Sequence, residues 1–229
     1  ASITLLVLCS FNQVGDGFGL IWPRLFDTLV GALIAGLAVM LILPDWQGRR
    51  LHRQGAETLI ASVRYLREIV SQYIGGKQDD LDYRLARRNA HNADAALSTL
   101  LANVRLEPGH FRKDAEVGFR FLGHSHTLLS YLSALGAHRG ETRALADDAT
   151  LRQAAEAIGD DLEAIAGRLR ERGTMPALDD AEARGLALQA QAMEESSEER
   201  RLLQTQLSLI SRQLVALRDA AARLAAQEG

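Results

Sequence analysis

The sequence predicts an all-α protein: the C-terminal end of a transmembrane helical region followed by a cytoplasmic antiparallel helical bundle. Three observations carry this expectation. Residues 28–43 form sixteen consecutive positions without a charge. Beyond residue 45, apolar residues recur at spacings of three and four, the period of one helix face. Nowhere does a run alternate β-branched and polar residues as a half-buried strand would.

The whole-chain averages conceal this division. The 229 residues are 24% charged with a net charge of -3, and the mean hydropathy is -0.06, values ordinary for a soluble protein. Up to residue 43, however, the only charged residues are Asp16, Arg24 and Asp27, whereas charges then come every few residues. The near-neutral balance gives no reason to expect a nucleic-acid partner, because phosphate binding requires clustered Lys and Arg. A single cysteine, Cys9, can make no intrachain disulfide, so nothing points to an oxidising compartment.

The chain opens with ASITLLVLCSF, about half the length needed to cross a bilayer. It reads as the end of a preceding membrane helix, and the chain as a fragment of a longer polytopic protein. The NQVGDGFG stretch reads as a short hairpin outside the membrane; its glycines lack the preceding strand of a phosphate-binding motif. Pro23 suits the start of the next helix, where its missing N–H costs nothing. A helix over residues 23–43 rises roughly 30 Å, a bilayer's hydrocarbon thickness. Pro44 stops it, Trp22 and Trp46 flank it, and Arg49, Arg50 and Arg53 follow. A buried soluble helix needs none of these markers. The positive-inside rule places the arginine-rich end, and all that follows, in the cytoplasm. The expected division is therefore 1–46, the end of a membrane domain, and 47–229, a cytoplasmic helical domain.

In that second part a first helix carries Leu59, Val63, Leu66, Val70 and Tyr73 and stops at Gly75-Gly76. Asp79 or Asp80 can cap a second, with Leu85, Ala93, Ala96, Leu97, Leu100 and Val104 on its apolar side, ending at Glu107-Pro108-Gly109. A third runs over residues 112–138 with Val117, Phe121, Leu128, Leu132 and Leu135. The fourth carries Leu151, Ile158, Leu162, Ile165 and Leu169 up to Arg172. After the turn residues of GTMPALDD come a short helix over 181–193 and a longer one with Leu203, Leu207, Ile210, Leu214 and Leu217. Stripes with short connections describe an antiparallel bundle.

Within the bundle the unusual stretch is YRLARRNAHNADAALS, residues 83–98. Helical spacing puts Arg87, His91 and Asp94 along one side and Arg84, Arg88 and Asn92 along another, with alanines that let a neighbouring helix come close. This stretch, together with RLFDTLVGALIAG at residues 24–36, LPDWQ at 43–47 and Glu107-Pro108, resembles the YccS/YhfK-type bacterial inner-membrane protein family, related to the fusaric acid resistance and aromatic acid exporter (FUSC) group. The resemblance covers nearly the whole chain. It implies a multi-pass inner-membrane protein whose relatives export small aromatic or organic acids.

Each candidate site has two readings. Arg24 and Asp27, in the first turns of the membrane helix, could bind an anion or relay a proton on a substrate pathway; equally, Arg24 could snorkel to the interface while Asp27 favours the helix N-terminus. Gly31, Ala32, Ala35 and Gly36 permit close helix packing. Arg84, Arg87, Arg88, His91, Asn92 and Asp94 could form a polar network inside the bundle, or contact the membrane domain, another protomer or an anion.

Metal and enzyme readings are disfavoured. His124 and His126 are two apart and point about 200° from each other on a helix. A His91–Asp94 pair lacks a nucleophile and a metal-ligand set, and GGKQDD lacks the earlier glycine and following Ser or Thr of a P-loop. No catalytic residue, metal or cofactor is expected. The partners expected are the lipid bilayer, a small organic acid and a second copy of the chain. Two functions from different classes remain: the C-terminal part of an efflux carrier with an assembly or regulatory domain, or a membrane-anchored scaffold that binds a protein partner and moves no solute.

Overall fold

The computed structural model describes residues 21–42, 50–76, 81–104, 111–138 and 148–226. Seven α-helices and no strand occur among them: α1 (Ile21–Ile42), α2 (Leu51–Gly75), α3 (Leu81–Val104), α4 (Phe111–Ala137), α5 (Ala149–Glu171), α6 (Asp179–Glu194) and α7 (Glu198–Ala225). The chain divides into two compact units, Ala1–Asp45 and Trp46–Gly229. Expectations about ASITLLVLCSF, the NQVGDGFG hairpin, Pro44, Trp46, Arg49, Asp79, Asp80 and Glu107-Pro108-Gly109 lie outside the described residues.

In the first unit, α1 begins at Ile21, so Pro23 falls within its first turn, where backbone N–H groups have no helical partner. Among the described residues no helix is long and apolar enough to cross a membrane. The helical backbone of α1 continues to Ile42, and its full length rises about 33 Å at about 1.5 Å per residue, comparable to a bilayer's apolar thickness.

In the second unit, α2 is the central element and packs against α3, α4 and α5. Its buried face includes Leu59, Val63, Leu66, Ile69 and Tyr73, close to the stripe the sequence predicts. Burying each such side chain contributes about 1.5–3 kcal/mol, far more than the helix preference of any one residue. Named contacts fix the directions. Thr58 Oγ1 donates to the Ala93 carbonyl at 3.2 Å while Tyr65, two turns on, meets Tyr83, and Gly55 lies against Leu169 while Arg67 pairs with Glu163, so α3 and α5 both run antiparallel to α2. Tyr73 donates to the Leu135 carbonyl at 2.9 Å, matching the C-terminal ends of α2 and α4.

Gly55 marks the point of closest approach: a Cβ there would lie 3.0 Å from Phe121, 3.2 Å from Leu169 and 3.4 Å from Leu224. Side chains of α4, α5 and α7 therefore converge on one turn of α2. The helix ends follow local chemistry. Asp148 accepts from the N–H groups of Thr150 and Leu151 at 2.9 and 3.2 Å, satisfying two otherwise unpaired donors of α5. At the other end Arg172 takes a left-handed conformation, φ 54°, and Gly173 N–H reaches back to the Arg168 carbonyl at 2.9 Å, a Schellman-type stop.

The last two helices form a tight pair. Ser208 and Ser211 donate to the carbonyls of Gly185 and Ala181, each at 2.8 Å. Arg184 reaches from α6 to Ser211 and to Asp161 of α5. Glycine at 185 is required here, since a Cβ would stand 2.6 Å from Arg212 Cγ and 3.3 Å from the Ser208 carbonyl.

Candidate functional site: the polar stretch of α3

The orientation of α3 corrects the expected apolar side. Its buried residues are Tyr83, Ala86, Ala90, Asp94, Leu97, Leu101 and Val104. Leu85 and Ala96 are exposed, and Ala93 and Leu100 are only partly covered. Small residues at 86 and 90 let the α3 backbone approach α2, so the core side follows alanine spacing rather than the bulkiest leucines. It also carries one acid.

That acid is Asp94, 8% exposed. Its partner is not His91: His126 Nδ1 of α4 lies 2.9 Å from Asp94 Oδ2. The second oxygen, Oδ1, is buried without a hydrogen-bond partner among the described residues. His91 instead points along the α3–α4 seam, its Nε2 3.5 Å from Ser133 Oγ, at the outer limit of a hydrogen bond. Spacing within α3 could not reveal His126, but an acid in register with Ala90, Leu97 and Leu101 was the signal that some other helix must supply a partner.

The first turns of α3 add a buried hydroxyl pair. Tyr65 and Tyr83 oxygens are 3.3 Å apart, with ring centroids at 5.7 Å. Gly136 of α4 sits directly against them; a Cβ there would stand 2.8 Å from the Tyr83 hydroxyl and 2.9 Å from that of Tyr65. Burial, followed by the bond to Tyr83, raises the Tyr65 phenol above its ordinary range, a rise only partly countered by the charge of Arg87.

The remaining predicted residues are not gathered here. Arg84, Arg87, Arg88 and Asn92 are exposed. Arg84, Arg88 and Asn92 face away from the core side, whereas Arg87, His91 and Asp94 fall toward α4. The structure thus separates the two rows that helical spacing predicts. His91 and Asp94 reach α4, through Ser133 and His126.

In α1, Arg24 and Asp27 are both exposed, as are Gly31, Ala32, Ala35 and Gly36. Thr28 donates to the Arg24 carbonyl at 2.8 Å, an ordinary back-bond to the previous turn. A Cβ at Gly31 or Gly36 would meet nothing within 4 Å.

Elsewhere, His124 and His126 go to different neighbours, His124 Nδ1 lying 3.1 Å from Gln213 Nε2. Among the described residues, no group of three or more His, Cys, Asp or Glu could hold a metal ion. His52 accepts a hydrogen bond from Arg172 Nε at 3.2 Å. Burial, then the charges of Arg172 and Arg53, push its pKa below the usual imidazole value.

Comparison with known proteins identifies this geometry's setting. The chain is 49% identical over 137 residues to the inner membrane protein YccS of Escherichia coli, covering 60% of this chain and 19% of that protein. An uncharacterized protein of Haemophilus influenzae is 46% identical over 144 residues, 62% of this chain and 20% of its own length. The ORF2 protein of Neisseria gonorrhoeae is 35% identical over 136 residues, 58% and 33%. The matched region thus spans between a fifth and a third of these relatives. No solved structure matches. The fusaric acid resistance protein family matches residues 2–229, and the chain belongs to that family of multi-pass inner-membrane proteins.

Proposed function

We propose that the chain is the C-terminal part of a carrier that exports small aromatic or organic acids across the bacterial inner membrane. In this reading α1 is one of its spans, and residues 47–229 form a cytoplasmic domain for assembly or regulation. The observation that carries it is the family match over 2–229, since resistance to fusaric acid is most directly achieved by removing that acid from the cell. The apolar length of α1 and the arginines at 50 and 53 support the topology. Arg24 and Asp27, one turn apart in an apolar helix, supply an anion contact and a proton-exchanging neighbour.

The test is growth and retention of aromatic acids in a strain lacking the full-length protein. Sensitivity to at least one aromatic acid, with higher cellular retention restored to normal by the intact gene, is the expected result. Arg24→Ala should fail to restore export while Arg24→Lys restores it in part. Unchanged retention for a broad set of aromatic and aliphatic acids would sink the carrier reading. The scaffold alternative would then stand, because the bundle exposes apolar side chains on α3 and α6 that suit a protein partner.

A further inference from the structure

The pairing of α2 with α5 is closed at one end and open at the other. Where Gly55 faces Leu169 the helices touch, and a Cβ on the glycine would stand 3.2 Å from that leucine. Toward the C-terminal end of α2 the facing residues of α5 are small, Ala155 and Gly159, and a cleft of about 510 Å³ opens between the helices. Leu66, Val70 and Ile74 line its α2 side, and Ile74 is a large hydrophobic side chain left exposed.

Packing does not demand glycine at 159, since a Cβ there would meet only Leu66, at 3.9 Å. Alanine would favour the helix by about 1 kcal/mol. Glycine therefore keeps room in the cleft at a cost to the helix, and a space of this volume with an apolar lining suits a small molecule.

The ionic groups at the rim choose the sign of the occupant. Arg67, Glu156 and Asp160 line the cleft, and Arg67 is already paired with Glu163 and lies 4.0 Å from Asp160. The Glu156 side chain has neither ion pair nor hydrogen bond among the described residues. Glu156, Asp160 and Glu163 follow one another at steps of four and three along one side of α5, so three acids are answered by one base. The last turn of α2, at the open end, adds no base.

We infer that this cleft binds a small amphipathic cation, an aromatic or short alkyl ammonium. Its hydrocarbon body lies on Leu66, Val70 and Ile74, and its charged end reaches Glu156. An anion of the same shape would meet a surplus of carboxylates and a guanidinium already engaged. The site is independent of whether the whole protein moves a solute.

Photolabelling of the full-length protein in native membranes tests it with three probes of one shape: a diazirine-bearing benzylammonium, the matching benzyl alcohol and the matching benzoate. Peptide mapping should place the ammonium's label on residues 66–75 and 155–160. Exposed charge pairs are weak, so the ammonium should exceed the benzoate there by about tenfold. Glu156→Gln should lower the ammonium's label about threefold and leave that of the alcohol unchanged. Gly159→Leu fills the cleft and should remove all three labels. Benzoate labelling equal to that of the ammonium, an absence of label at the cleft because another part of the whole protein covers it, or a label indifferent to Glu156→Gln would each overturn the inference. Should Gly159→Leu fail to reach the membrane, Glu156→Lys decides: an undiminished ammonium label overturns the inference, and a diminished one supports it.

Discussion

His126 on α4 holds Asp94 on α3 through a 2.9 Å contact between Nδ1 and Oδ2, although the imidazole is largely open to solvent while the carboxylate is nearly covered. The acid therefore depends on one exposed neighbour for its only side-chain partner, since its other oxygen has none among the described residues.

Removing that partner leaves a buried carboxylate unsatisfied, which costs about 1–3 kcal/mol. His126→Ala should accordingly lower the urea midpoint of residues 46–229, and Asp94→Asn should lower it less. The double variant should lose less than the sum of the two. His91→Gln should leave the midpoint nearly unchanged, because its contact with Ser133 is long and exposed. Additive losses at 94 and 126 would show that the contact does not couple the two helices.

Gly136 tests the tyrosine pair. Alanine would gain helix propensity of about 1 kcal/mol, yet its Cβ would stand inside contact distance of both hydroxyls. Overpacking of this kind costs about 1–3 kcal/mol, so Gly136→Ala should destabilise the bundle on balance. Tyr83→Phe in the same chain deletes one of the obstructing oxygens and should recover part of the loss. Thermal melts of the single and double variants check this.

The bundle should lose stability in mild acid partly through His52. Its folded pKa lies below 6.5 because of burial and then the charges of Arg172 and Arg53. The unfolded chain therefore takes up a proton first as pH falls through about 6.5. The neutral imidazole's contribution is full above that value and is lost as pH drops toward the folded pKa. His52→Asn should flatten this part of the stability profile, and Arg172→Gln should move the imidazole NMR titration upward. A downward or absent shift would remove Arg172 as a cause.

Topology offers a separate check on the carrier reading. Reporter fusions after residue 46 should be active only as cytoplasmic markers, and fusions within residues 12–19 only as exported ones, since the basic residues follow α1 rather than precede it. Cytoplasmic activity at the 12–19 fusion would reverse the assignment.

Much of the fold was legible in the residues themselves. Leu59, Val63, Leu66 and Tyr73 on α2, and Leu203, Leu207, Ile210, Leu214 and Leu217 on α7, are buried as their spacing predicts. So are the α5 residues from Leu151 to Leu169, with the stop falling at Arg172. A stripe of large apolar residues along one helix has a single favourable outcome, burial, and needs no knowledge of the neighbour. The α3 stretch is different, because alanine is indifferent to exposure and polar residues stood on both of its sides. Which side turned inward was decided by what the other helices offered: the close approach of α2 and the imidazole of His126. Sequence determined that α3 would be a helix carrying Asp94 in step with Ala90 and Leu97. Only the tertiary structure chose His126 over His91 as the acid's partner, because hydrogen bonds between helices depend on their relative register, which the period of one helix does not contain.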